Sequence, residues 1–321
     1  MNKNKALVII IGLWLCLVMA CQPTTPSQEG GGRLKIVTTT GMLKDAVLNV
    51  VKDRADVSAL MGAGVDPHLY KATQNDLVKL QSANVVFYNG LFLEGKMDEI
   101  LQKMGRQKYV FAGSDGIDKQ LLLPATKISA ENSGTATPAT HGAYDPHIWF
   151  DVSLWEKVVA HISNELQKTD TANASFYSQN ARVYIDSLRV LHEKIKTQIA
   201  GIPEQQRILI TSHDAFHYFG RAYNIQVKGL QGISTVTDFG LQDVTNMTDF
   251  IVQNKVKSVF VESSVSSKAL EAVVAGCEQK GHPITIGGTL FSDAMGADGT
   301  PEGTYTGMIW ANVQRIVKGL H

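Results

Sequence analysis

The chain has 321 residues, 44% apolar and 19% charged, with 30 basic residues against 30 acidic ones. That length and apolar content suit one large domain or two ordinary ones with a buried core. The balanced charge, without a basic excess or a single-sign block, argues against a nucleic-acid partner and against a charged interaction tail.

In chain order, Lys3 and Lys5 precede the apolar run ALVIIIGLWLCLVMA. At about 15 residues the run is short for a bilayer span and right for the apolar centre of a signal peptide. It ends in LVMAC, with Val18, Ala20 and then Cys21, which resembles a bacterial lipobox. Residues 1–20 are therefore expected to be removed and Cys21 to carry lipid. Taking Lys3 and Lys5 from the 30 basic residues leaves 28 against 30 acidic, a net charge of −2. With Cys21 lipidated, Cys277 in LEAVVAGCEQK has no partner, so a disulfide scaffold is excluded and Cys277 is expected to be buried. Residues 22–33, QPTTPSQEGGGR, read as a flexible tether.

Structure is expected from LKIVTTT onward. The spacing predicts a strand there, a helix over MLKDAVLNVVKD and a strand at DVSAL. A helix over TQNDLVKLQSA with Thr73 as N-cap, a strand at NVVFYN, a helix near 96–104 and a strand at YVFA follow. Strands alternating with helices predict parallel βαβ units. Residues 125–143 are small and polar and read as a surface loop. Residues 152–200 read as helical with a break at TDTAN, and the second part shows apolar residues at Phe176, Val183, Ile185, Leu188, Leu191 and Ile195. About 25 helical residues give a rod of roughly 40 Å, a spine between two halves. The alternation then resumes with RILIT, DAFHYFGRAY, QVKGL, LQDVTNMTDFIVQNK, SVFVES, KALEAVVAGCEQK, PITIG and a closing helix over 303–319. The expected architecture is α/β: an N-terminal lobe over 34–151, a helical linker over 152–203 with the long backbone helix, and a C-terminal lobe over 204–321, each lobe a parallel sheet flanked by helices.

Eight of the nine histidines divide into two groups. His161 and His192 lie inside helices, His282 precedes Pro283 in a turn, His321 is the last residue and His141 stands alone in the polar loop. His68, His147 and His213 each fall just past a strand or at a helix start, where open α/β sheets bind ligands. Two of them share a frame, VDPHLYK and YDPHIWF, in which proline fixes the backbone one residue upstream. Asp66 and Asp145 in those frames could accept from the second ring nitrogen or from backbone amides and so set the tautomer. Asp293, in TLFSDAMG after the last strand, supplies a carboxylate. Three imidazoles and one carboxylate suit Zn²⁺ and also accept Mn²⁺ or Fe²⁺. The separations of 79, 66 and 80 residues exclude a local zinc finger, so such a site is assembled by the fold. Glu262, at the end of SVFVES, could hydrogen-bond a ligand, and His217, four residues past His213, could stand behind one.

DPHLY, DPHIWFD, TSHDAF, FVESSVSSKALEA and FSDAMG, in this order behind a lipobox and around a long helix, resemble the TroA-like (cluster A-I) metal-binding receptors of bacterial zinc/manganese ABC importers. The likeness covers residues 34–321. It implies two pseudo-symmetric lobes joined by a rigid helix, with one metal ion bound between them by His68, His147, His213 and Asp293. It also implies an ABC permease and its ATPase as partners, anchorage to the bacterial cell membrane through lipid, and a monomer. Many zinc-dedicated members carry a His/Asp/Glu-rich loop before the second Asp-Pro-His, where this chain has SAENSGTATPATHGAY with His141 alone; several manganese-dedicated members have Glu at the third ligand position, where this chain has His213. The nitrogen-rich set favours Zn²⁺ by intrinsic affinity, with Mn²⁺ next and Fe²⁺ open. Small closure, local movement of the Asp293 loop and loss of affinity below about pH 6.5 are expected.

Two rivals remain. A zinc hydrolase would keep three protein ligands and an open position, and the chain has neither a His-Glu-x-x-His helix nor a Gly-x-Ser-x-Gly elbow. A receptor for a larger solute such as a metal chelate would use a cleft lined by aromatic or arginine side chains.

Overall fold

The computed structural model describes residues 33–125, 143–236 and 239–321. The expected signal peptide, Cys21, the tether to residue 32 and loop residues 126–142 with His141 lie outside the described residues.

The N-terminal half alternates β1 (Leu34–Thr38), α1 (Gly41–Val51), β2 (Ala55–Ala59), α2 (Gln74–Ser82), β3 (Val85–Tyr88), α3 (Lys96–Met104) and β4 (Tyr109–Ala112). Its strands form one parallel sheet in the order β2-β1-β3-β4. Leu34 to Thr38 pair with Ala55 to Ala59, and Val85 to Tyr88 with Tyr109 to Ala112. All four residues of β3 are buried, as a parallel strand covered by helices on both faces requires. Thr40 caps α1 by accepting from Leu43 N–H. Thr73 caps α2 as expected, with Asp76 bonding back to the Thr73 amide in a capping box.

The C-terminal half repeats the plan with β5 (Ile208–His213), α6 (His217–Tyr223), β6 (Gln226–Gln231), α7 (Leu241–Gln253), β7 (Ser258–Glu262), α8 (Lys268–Gln279), β8 (Thr285–Leu290) and α9 (Tyr305–Leu320). Its strand order, β6-β5-β7-β8, is the same permutation and is again parallel. Two boundaries differ from the sequence reading. The helix expected from Asp214 starts at His217, because Asp214 is occupied outside the helix, accepting from Gly229 N–H. The strand read at PITIG starts two residues later and runs on to Leu290, since Pro283 has no N–H to give a ladder.

Between the halves lie α4 (Val152–Thr169) and α5 (Ala174–Ala200), separated by one 3₁₀ turn at Thr171–Asn173. At 27 residues α5 is roughly 40 Å long. Its buried face is Tyr177, Ala181, Tyr184, Leu188, Leu191, Ile195 and Ile199, stepping by three or four residues. The apolar stripe expected from the sequence is partly displaced from this face. Val183 is 66% exposed, and Phe176 and Ile185 only border the core, because tyrosines rather than the aliphatics supply its first turns.

The first half of α5 grips the N-terminal lobe: Asn180 Nδ2 donates to the Val50 carbonyl at 2.9 Å and Tyr184 OH to Asp45 at 2.8 Å. The second half grips the other lobe, with His192 Nδ1 3.0 Å from Tyr223 OH and Lys194 Nζ 3.6 Å from the Trp310 ring centre. One apolar core runs from Ile36 and Val47 through Trp155 and Leu188 to Phe216, Tyr305 and Ile316. It joins the inner faces of both sheets to α4, α5 and α9, and smaller clusters cover each sheet's outer face. Cys277 is buried with a free thiol. Among the described residues no helix is long and apolar enough to cross a membrane.

Candidate metal centre

The chain leaves β2 at Ala59 and makes a loop that brings His68 inward. Within its Asp-Pro-His frame, Asp66 Oδ1 accepts from His68 N–H at 2.8 Å and Oδ2 accepts from the Thr235 hydroxyl of the other lobe at 2.5 Å. The second frame begins after a two-residue bridge, Pro124 with Tyr144. Here Asp145 Oδ1 accepts both His147 N–H at 2.9 Å and His147 Nδ1–H at 2.7 Å. Ile148–Phe150 then form a 3₁₀ turn, and Asp151 caps α4.

His213 is the last residue of β5. Glu262, the last residue of β7, accepts His213 N–H at 2.9 Å and Nδ1–H at 2.5 Å. Gly229 on β6 permits this crowding: a Cβ there would fall 2.4 Å from the His213 carbonyl carbon. Asp293 follows β8. Its loop is held by Ser292, whose carbonyl accepts the Trp149 indole N–H at 3.0 Å, and by Phe291, whose amide and carbonyl both bond the Asn312 side chain. Trp149 also stands edge-on to the His147 ring at 5.3 Å, and its carbonyl accepts from Tyr305 OH at 2.7 Å.

These elements bring His68, His147, His213 and Asp293 together, all buried, with one ligand atom from each lying within 4.8 Å of the others. His68 Nε2 is 3.3 Å from His147 Nε2 and 3.8 Å from Asp293 Oδ2. His147 Nε2 is 3.4 Å from Asp293 Oδ1, and His213 Nε2 is 3.3 Å from Asp293 Oδ2. Four donors around Zn²⁺ at 2.0–2.1 Å would stand about 3.3–3.4 Å apart along the tetrahedral edges, so most of these spacings are those of a coordination sphere. Both Asp293 oxygens and His213 Nε2 are buried without an aligned hydrogen-bond partner among the described residues, a cost that a cation between them would remove. Asp145 and Glu262 hold the protons of His147 and His213 on Nδ1, leaving the Nε2 lone pairs to face the common point.

The electrostatics match. Burial disfavours a charged His147, but Asp145 and Asp293 outweigh it and raise its pKa to about 9. His213 is likewise opposed by burial and raised well above the usual imidazole range by Glu262 and Asp293. Burial works to raise Asp293, and the two histidines hold it well below the usual carboxylate range instead. Protons and a metal ion thus compete for one pair of imidazoles, and that competition sets in at higher pH than the 6.5 expected from free histidine.

Asp145 and Glu262 bond ligand-side rings directly, whereas the resolved bonds of Asp66 go to a backbone amide and to Thr235. His217 is outside the group of four, with Nε2 3.3 Å from Asp214 Oδ1. His192 and His282 bond Tyr223 OH and the Val256 carbonyl. Trp149 and Asn312 were not singled out from sequence. Trp149 lies inside the quoted DPHIWFD motif, so the signal was present; Asn312 lies in a helix with nothing to mark it.

The family profile of ZnuA, the periplasmic component A of a zinc-uptake complex, matches residues 36–319. The manganese-binding lipoprotein MntA of Bacillus subtilis (strain 168) is 44% identical over 300 residues, covering 94% of each chain. The zinc-binding protein TroA of Treponema pallidum (strain Nichols) is 39% identical over 289 residues, covering 90% of this chain and 89% of TroA. The manganese ABC transporter substrate-binding lipoprotein PsaA of Streptococcus pneumoniae is 28% identical over 327 residues, covering 99% of each. Among solved structures, the periplasmic zinc-binding protein TroA of Treponema pallidum superposes with a TM-score of 0.83 at 39% identity, covering 90% of this chain and 99% of that one.

Proposed function

The chain belongs to the ZnuA family, and from that membership we propose that it captures one divalent transition-metal ion between its lobes and delivers it to an ABC importer. The ligands are His68, His147 and His213 through Nε2 and Asp293 through its carboxylate. The observation that carries this is the buried convergence of four donor atoms within 4.8 Å, drawn from both lobes. Asp145 and Glu262 keep the ring lone pairs inward, Asp66 steadies the His68 loop against Thr235, and His217 stands behind the site through Asp214.

Zinc is favoured by the nitrogen-rich set of three imidazoles. Manganese comes next: the two Asp293 oxygens face different histidines, so a bidentate carboxylate can raise the coordination number for a larger, harder ion. A relative named for each metal supports keeping both. Four protein donors leave no open position for an activated water, which supports a receptor over a hydrolase. The ion enters beside His68, the most exposed of the four ligands (8%). Export behind a signal peptide at 1–20, lipid on Cys21, a tether to residue 33, lobes over 34–151 and 204–321 around the linker 152–203, a monomeric receptor, and a permease with its ATPase as partners complete the reading; the names of the relatives support the lipoprotein and transporter parts.

The test is elemental analysis of metal-stripped and reloaded protein, with Zn²⁺ and Mn²⁺ in competition. One ion per chain, lost in His147→Ala, is expected. Binding in His147→Ala equal to that of the wild type would sink the assignment.

A further inference from the structure

The loop between β3 and α3 is held in an unfavourable backbone form. Gly90, Leu91 and Phe92 run consecutively at φ of +81°, +56° and +69°, and Gly95 sits at +52°. Leucine and phenylalanine avoid that region because Cβ crowds the neighbouring carbonyl. Two in succession persist only where their surroundings hold them there.

Glu94 is what holds them. It is 1% exposed. Its Oε1 accepts from Asn89 N–H at 2.6 Å and from the Thr39 hydroxyl at 2.7 Å, and its Oε2 accepts from Gly90 N–H at 3.2 Å. No cation pairs with it among the described residues, and burial raises the carboxyl to about 7 against those hydrogen bonds. A buried carboxyl of this kind is expensive to keep, and the four metal-ligand positions make no use of it directly.

The loop it shapes touches both Asp-Pro-His frames. Asn89 Nδ2 donates to the Pro146 carbonyl at 3.0 Å. That carbonyl belongs to the peptide whose N–H, on His147, donates to Asp145, so the Pro146–His147 peptide is pinned at both ends. Gly95 lies close enough to His68 that a Cβ there would sit 3.3 Å from the His68 carbonyl oxygen. The loop therefore abuts the backbones of the two histidines whose Nε2 atoms are 3.3 Å apart.

We propose that Glu94 is a positioning residue for the metal site: by holding residues 89–95 in their strained form it fixes, through Asn89 and Gly95, the spacing of His68 and His147. The inference rests on the metal-capture reading above.

The test compares wild type, Glu94→Gln, Asn89→Ala, the double variant and His147→Ala. Zn²⁺ affinity is measured by chelator competition, Co²⁺ d–d absorption reports coordination geometry, and a thermal melt reports folding. Glu94→Gln and Asn89→Ala are each expected to weaken Zn²⁺ binding by about tenfold or more and to shift the Co²⁺ bands, as removal of outer partners of a metal site does. The double variant should bind no more weakly than the worse single one, because both act through one loop. If Glu94→Gln does not fold, Asn89→Ala decides alone, since it leaves every Glu94 contact to backbone in place. Unchanged affinity and unchanged Co²⁺ bands in the folded variants, even with a lowered melting point, overturn the inference while loss in His147→Ala leaves metal capture standing. Wild-type binding by His147→Ala instead removes the capture reading itself.

Discussion

In the C-terminal lobe the site residues hang on strand ends: His213 closes β5, Glu262 closes β7, and Asp293 comes three residues after Leu290 closes β8. In the N-terminal lobe, with the same strand order, His68 lies nine residues past Ala59 and His147 35 residues past Ala112. A residue on a strand end inherits its position from the sheet. One on a long excursion must be fixed by local devices, here the Asp-Pro-His frames and the 89–95 loop. The carboxylates follow the same division. Asp145 serves a histidine two residues away, and Glu262 serves one 49 residues away across a strand pair. One half of the site is anchored by topology and the other by short-range chemistry, so the two halves should fail differently.

The sharpest difference is expected between His213→Ala and His68→Ala. Both should abolish tight metal binding. His213→Ala also strands Glu262 in the core and should destabilise the metal-free protein by about 3 kcal/mol or more, read as a lower melting temperature. His68→Ala, nearer solvent, should cost about 1 kcal/mol or less. Equal melting points would break the contrast. Next, Glu262→Gln should weaken Zn²⁺ binding by about 10–100-fold. Asp66→Asn, which disturbs an amide and a hydroxyl contact, should weaken it less, and competition titrations would rank the two. A reversed rank would put the stricter control in the N-terminal lobe.

The pH dependence probes the shared pair. The raised pKa of His147 means that its contribution to metal-free stability is complete below about 6.5 and disappears as pH rises through about 9. Metal affinity runs the other way, climbing over that window as the proton leaves. The melting-temperature rise on adding Zn²⁺ should therefore widen from pH 6 to pH 9, and calorimetric scans in metal-buffered solution would show it. Trp149→Phe should have a small effect: it loses one hydrogen bond to Ser292, worth about 0.5–1.5 kcal/mol, and should appear mainly as faster Zn²⁺ release in stopped flow. His141→Ala should change nothing measurable.

The N-terminal half of the site was legible because its logic is local. Asp, Pro and His stand side by side, so the repeat itself announces a constrained imidazole, and the alternation of strands and helices was enough to place the frames beside sheet ends. Glu262 could be read only as a residue at a strand end, since its pairing with His213 depends on two strands being neighbours. Glu94 and Asn89 were invisible for a further reason. Four positive φ values in NGLFLEG follow from tertiary hydrogen bonds, and Leu-Phe by itself signals nothing of the kind. The α5 stripe was partly misplaced because buried tyrosines count as half polar in any periodicity, although Tyr184 reaches Asp45 and Tyr177 reaches Asp170 inside the fold.

The grip of α5 has a further consequence. Because its first turns are bonded to one lobe and its later turns to the other, with a common core filling the angle between them, wide hinge opening would have to tear packed side chains apart. An ion held this way is expected to come and go through small shifts of the loops around the site rather than through parting of the lobes, which leaves the scaffold itself unchanged.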